Sequence, residues 1–62
     1  MKVMFEGREY EFEGQMRVRD VIKKLNLNPE EIVVLKDGRP VTEDERIGKD
    51  EQIEIILVVS RG

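Results

Sequence analysis

The 62-residue chain contains no cysteine, histidine or tryptophan, and it has only two prolines and five glycines. Without cysteine there is no disulfide framework and no thiolate nucleophile, and without histidine as well nearly every zinc-type site is excluded. Hydroxyls are scarce too, being confined to Tyr10, Thr42 and Ser60. No imidazole is present to activate them as nucleophiles, and so short a chain does not enclose a small-molecule pocket of about 300 Å³ or more. An independent enzyme is all but excluded, so no catalytic residue, metal ligand or bound cofactor is assigned. Long apolar runs are also missing. The longest, residues 55–59, falls far short of the ~20 residues that span a bilayer. Met1 and Lys2 lead into alternating residues where a signal peptide would have an apolar core. A cytoplasmic protein without membrane contact is expected. No block of one charge sign occurs either: 14 acidic and 11 basic residues are interspersed, with net charge -3. That balance offers no phosphate-binding footprint, and direct nucleic-acid binding is not expected.

What the chain does have is charge, at 40% of residues, with only four amide side chains, Gln15, Asn26, Asn28 and Gln52. This balance resembles the ion-pair-rich surfaces of thermophile proteins. Length permits one domain, and a domain of this size buries only about 60% of the surface its unfolded chain exposes. Packing and backbone pairing must therefore stabilise a small, simple core.

Period-two alternation runs through residues 1–6 and again through "EYEFE", with a Gly7-containing turn between them, which predicts a β-hairpin with one wet face. In "MRVRDVIKKL", Val18, Val21, Ile22 and Leu25 fall at helical spacing with Arg19, Asp20, Lys23 and Lys24 on the other side. The spacing predicts one helix of about two to three turns. Arg17 is a poor cap, Asp20 suits the helix dipole, and Asn26 with Asn28-Pro29 forms the stop. The run 32–35, the Asp37-Gly38 pair and Pro40-Val41 predict a second hairpin around a type I′ turn, with the proline arm at an edge or strand end. Thr42 and Glu45 have capping-box spacing for a single helical turn, followed by the lone apolar anchor Ile47 and the breaker Gly48. In "QIEIILVVS", Ile53 and Ile55 flank Glu54, and from Ile55 onward both faces are apolar, the pattern of a central strand covered on both sides.

The order ββαββ, short turn, β places the last strand between the two hairpins and beside the first strand, with the helix across one face. This is an α+β arrangement, the ubiquitin-like β-grasp: a mixed sheet of about four to five strands, forming one domain over residues 1–62 with a short tail at 60–62. The stretches "MKVMFEG", "VRDVIKKLNL", "VVLKDGRPV" followed by "TEDERI", and "DEQIEIILVVSRG" resemble the small ubiquitin-like sulfur carriers of the thiamine and molybdopterin type and their archaeal ubiquitin-like modifier relatives. Members of that family end in Gly-Gly. The resemblance implies that an activating enzyme uses ATP and Mg²⁺ to adenylate the last carboxylate. Sulfur then replaces the adenylate to give a thiocarboxylate, which a downstream synthase or modification enzyme spends on a thiazole, a pterin or a tRNA base.

Carried onto this chain, the resemblance places the attachment point at Gly62 and the tail at Ser60 and Arg61. Glycine, lacking Cβ, threads a narrow channel easily. Arg61 stands where the family has its penultimate glycine, and its long cationic side chain is expected to weaken or redirect activation. Ile56 and Val58 fall on the strand face opposite Ile53, Ile55 and Leu57. With Leu35 and Val59 they are the expected apolar partner site. The acidic strings Glu9/Glu11/Glu13, Glu30-Glu31 and Glu43-Asp44-Glu45 read as solvated surface, and Arg17, Arg19, Lys23 and Lys24 as the polar side of the helix. The free protein is expected to be a monomer. A ubiquitin-like modifier of lysines and a module that only binds stay open as alternatives, as does the choice among thiamine, molybdopterin and tRNA-thiolation pathways. A β-grasp RNA-binding appendage conflicts with the acidic balance.

Overall fold

The computed structural model describes residues 1–58. In chain order its elements are β1 (Lys2–Phe5), β2 (Arg8–Glu11), β3 (Met16–Arg17), α1 (Val18–Lys24), a 3₁₀ turn (Pro29–Glu31), β4 (Ile32–Lys36), β5 (Arg39–Val41), β6 (Arg46–Ile47) and β7 (Gln52–Leu57). Five strands form a mixed sheet in the order β2-β1-β7-β4-β5, while β3 and β6 form a separate two-stranded ladder.

Both hairpins close on two-residue turns. Phe5 pairs with Arg8, leaving Glu6 and Gly7 at φ 51° and 78°, and Lys36 pairs with Arg39, leaving Asp37 and Gly38 at φ 54° and 79°. Two successive left-handed residues are the type I′ geometry that matches strand twist. Pro40 lies on β5, the outermost strand, where a missing N–H is tolerated. The last strand is central, as its apolar run implied: β7 is parallel to β1, with Val3 level with Ile53, and antiparallel to β4, with Val34 opposite Ile55.

Helix α1 is seven residues long and buries Val18, Val21 and Ile22, with Leu25 half-buried. Its start lacks a conventional cap, since the Arg17 side chain is donor-only. Instead the Asp20 carboxylate accepts the Arg17 N–H at 3.1 Å. The N–H groups of Val18 and Arg19 donate to the carbonyls of Glu45 and Glu43 at 2.9 and 3.0 Å. Orphan donors of the first turn are thus satisfied from a segment distant in sequence. The other end is a Schellman closure: Asn26 sits at φ 56°, its N–H donates to the Lys23 carbonyl, and the Leu27 N–H donates to the Ile22 carbonyl.

Three expectations change. The stretch from Thr42 does not form a helical turn. Glu45 N–H donates to Thr42 O in a β-turn, after which Arg46 and Ile47 pair with Arg17 and Met16, because the same segment supplies the carbonyls that cap α1. Phe5, Tyr10 and Phe12, which the alternation of the first hairpin turns away from its wet face and so toward the core, are half-buried at the core's margin. The two faces of β7 are not both covered: the core of Val3, Val18, Val21, Ile47, Ile53 and Ile55 lies on the helix side alone.

Candidate docking face and chain exit

Alternation along β7 separates two surfaces. Ile53 and Ile55 are 1% and 3% exposed, whereas Ile56, Leu57 and Val58 are 39%, 44% and 53% exposed. Leu57 was expected to follow Ile53 and Ile55 inward, and its partner Ile32 is indeed buried. Leu57 is the last residue of the strand, where the alternation of buried and exposed positions along β7 stops. Pairing nevertheless reaches Val58, whose N–H donates to the Glu31 carbonyl at 2.8 Å.

The face away from the helix is assembled by register. Val33 lies opposite Ile56, Leu35 opposite Glu54, Met4 level with Glu54, and Pro40 opposite Leu35. Since successive side chains alternate sides, these residues share the open face. Of the expected partner residues, Leu35 is half-buried there beside exposed Ile56, and Val58 is exposed just beyond the strand end. Val59, Ser60, Arg61 and Gly62 lie outside the described residues. Met4, Val33 and Pro40 complete the apolar surface and were missed. The signal for Val33 was its two-residue spacing from Leu35, and for Met4 its place opposite Val3 and Phe5 in the alternation.

Several charged groups outside this face tie segments of the chain together. Asp44 pairs with Arg19, and with Arg17 at 4.0 Å, across the helix start. Lys36 pairs with Glu51 at 3.0 Å and Glu45 at 3.5 Å. The Gly48 N–H donates to the Glu51 carboxylate at 2.6 Å. That donor, reinforced by Lys36, holds the Glu51 carboxyl below its ordinary value of 4.5, and the hydrogen bond to Glu51 raises the Lys36 ammonium above 10.5. Among the described residues, no three acidic side chains converge as a metal site, and no helix is long and apolar enough to cross a membrane. An open depression of about 530 Å³ lies beside the helix, walled by Ile22, Leu27 and Pro29 and by the charged side chains of Arg19, Lys23, Glu43 and Asp44.

Known proteins match this architecture over most of its length. The family model of small archaeal modifier protein 2 matches residues 2–59. Sulfur carrier protein TtuB of Thermus thermophilus is 28% identical over 57 residues, which is 92% of this chain and 88% of that one. An uncharacterized protein of Archaeoglobus fulgidus is 36% identical over 62 residues, 97% of this chain and 90% of the relative. Small archaeal modifier protein 2 of Haloferax volcanii is 35% identical over 43 residues, 69% and 64% of the two chains. The structure of the thiamine biosynthesis protein ThiS from Geobacter metallireducens superposes over the whole of both chains with TM-score 0.69 at 14% identity, a likeness of fold. The β-grasp read from the sequence is therefore the fold of this molecule, and the chain belongs to the small archaeal modifier protein 2 family of ubiquitin-like modifiers and sulfur carriers.

Proposed function

We propose that this protein is a cytoplasmic sulfur carrier whose Gly62 carboxylate is the working group. The observation that supports the reading most is the exposed apolar end of the central strand: Ile56, Leu57 and Val58 sit in open solvent directly before the tail. A partner that grips this end holds the chain terminus at a fixed distance from its own active site. Leu35, Ile56, Val58 and Val59 form the grip, and Ser60, Arg61 and Gly62 form the thread.

A carboxylate is a poor electrophile until one oxygen becomes part of a good leaving group. In the partner's site a Gly62 oxygen attacks the α-phosphorus of Mg²⁺-bound ATP and pyrophosphate departs. A sulfide-level sulfur nucleophile then attacks the acyl carbon and expels AMP as the leaving group, so that the C–S bond formed replaces the C–O bond to the adenylate and the thiocarboxylate is left without any change of oxidation state. The chain contributes no acid, base or metal ligand to these steps. The enzymology belongs to the activating partner and to the synthase or modification enzyme that accepts the sulfur, in thiamine, molybdopterin or tRNA-base chemistry.

A second reading, conjugation of Gly62 to a lysine amine, shares the adenylate and is favoured by the family's designation as a modifier. Mixing the protein with the adenylating enzyme of its own organism, ATP and Mg²⁺ should release pyrophosphate and form an acyl-adenylate. Deleting Gly62 should eliminate the reaction without altering the fold, because a terminal residue makes few packed contacts. Arg61→Gly should accelerate it. If neither parent nor Arg61→Gly supports pyrophosphate release, the carrier and modifier readings both fall and a binding-only module is left.

A further inference from the structure

The open face has a carboxylate at its centre. Glu54 lies on the middle strand, level with Met4 on one side and Leu35 on the other, with Pro40 beyond Leu35 and Ile56 two residues along the same strand. In-register neighbours on adjacent strands lie about 5 Å apart, so the Glu54 carboxylate stands within a ring that is apolar except for Gln52, two residues before it on the same strand. Among the described residues it has no ion pair, and it is exposed. The nearest cation on this face by register is Lys2, level with Gln52, and it is engaged with Glu9 at 3.8 Å. Glu9 and Glu11 are opposite Met4 and Lys2, which extends the negative charge along one side of the ring.

We infer that the partner docking on this face carries a basic side chain, an arginine in preference to a lysine, which pairs with Glu54 at the centre of the contact and makes Glu54 a specificity-determining residue. The inference rests on the docking reading above. Covering the apolar ring removes Glu54 from water, and a desolvated carboxylate without a counter-charge opposes association strongly. A planar guanidinium satisfies both carboxylate oxygens at once. A second copy of this chain is the wrong occupant, because a two-fold contact across the ring places the same patch on itself and brings two Glu54 carboxylates together. The acidic flank of Glu9 and Glu11 adds long-range attraction for a basic partner surface, which acts on the rate of encounter.

The test is equilibrium binding of the full chain to the purified adenylating enzyme of the same organism, with melting temperature measured in parallel. Glu54→Gln should weaken binding about tenfold or more and Glu54→Lys more than about a hundredfold, since breaking a buried charge pair is costly on both sides. Both should melt like the parent because Glu54 is exposed. Binding of the parent should also weaken with salt more steeply than that of Glu54→Gln. Ile56→Asp separates the two ideas. If Ile56→Asp abolishes binding while Glu54→Gln and Glu54→Lys stay within about twofold of the parent, or if Glu54→Leu binds more tightly than the parent, no cation meets Glu54 and the inference fails with the docking face intact. If Ile56→Asp also leaves binding unchanged, or the parent does not bind, the docking reading falls and this inference with it.

Discussion

Ile55 and Ile56 are the same residue at adjacent positions of one strand, yet one is 3% exposed and the other 39%. The helix side of the sheet collects Val3, Val34, Ile53 and Ile55 under Val18, Val21 and Ile22, while the other side carries half-buried Met4, Val33 and Leu35 beside exposed Ile56. Apolarity alone does not distinguish the two surfaces. Cover does, and a domain with one short helix has cover for only one face. The uncovered isoleucine is expected to contribute little to folding, and under the proposed function its burial waits for a partner.

The contrast breaks most visibly under truncation. Ile55→Ala should destabilise the domain by about 2–5 kcal/mol, through lost transfer energy and the cavity left behind. Ile56→Ala should cost less than about 1 kcal/mol, as surface changes do. Chemical denaturation of both variants decides the matter, and equal losses would mean that the open face is covered in the folded monomer.

A smaller effect probes how the covered face is built. Asp20→Ala removes the acceptor for the Arg17 N–H at the helix start and should cost about 1 kcal/mol. Hydrogen exchange should show the loss concentrated at Val18 and Arg19, whose donors also depend on the Glu43 and Glu45 carbonyls. Uniform loss across all strands would contradict a local role.

The smallest effect is one of pH, and it concerns the ion-paired edge. Glu51 is held below 4.5 by the Gly48 N–H and Lys36, so its contribution is complete above that value and disappears as pH falls through the lowered one. Lys36 is raised above 10.5 by Glu51, so its share is complete below that value and is lost as pH rises through the raised one. Denaturation midpoints should therefore be level across neutral pH. Glu51→Gln should be less stable than the parent at pH 7, with the difference closing in acid, where the parent's carboxyl is protonated. A difference independent of pH would show that packing of the side chain, and not its charge, is what matters.

These surfaces were unequally legible. Gly7 and the Asp37-Gly38 pair announced both hairpins because left-handed turn positions select few residue types, and the apolar run at 55–59 placed the last strand in the middle. The β3–β6 ladder was hidden, since two-residue pairing between Met16 and Ile47 leaves no periodic trace. The capping-box spacing of Thr42 and Glu45 was satisfied instead by a β-turn. Weak capping at Arg17 was the one clue that something distant closes the helix start. Leu57 defeated parity because the alternation of buried and exposed positions stops at the last residue of the strand. The open face was legible at Leu35 and Ile56, but its outline through Met4, Val33 and Pro40 depends on register between strands that are far apart in sequence.

The central claim is that Gly62 is chemically charged by a partner, and mass spectrometry of protein isolated from its own cells under non-reducing conditions addresses it directly. The account predicts a fraction in which one oxygen of the C-terminal carboxylate is replaced by sulfur, localised to Gly62 by fragmentation and absent when the activating enzyme is deleted. Recovery of Gly62 joined to a lysine amine, without any thiocarboxylate, would shift the assignment to the modifier reading. A Gly62 carboxylate that is unaltered in every preparation, with or without the activating enzyme, would contradict the account.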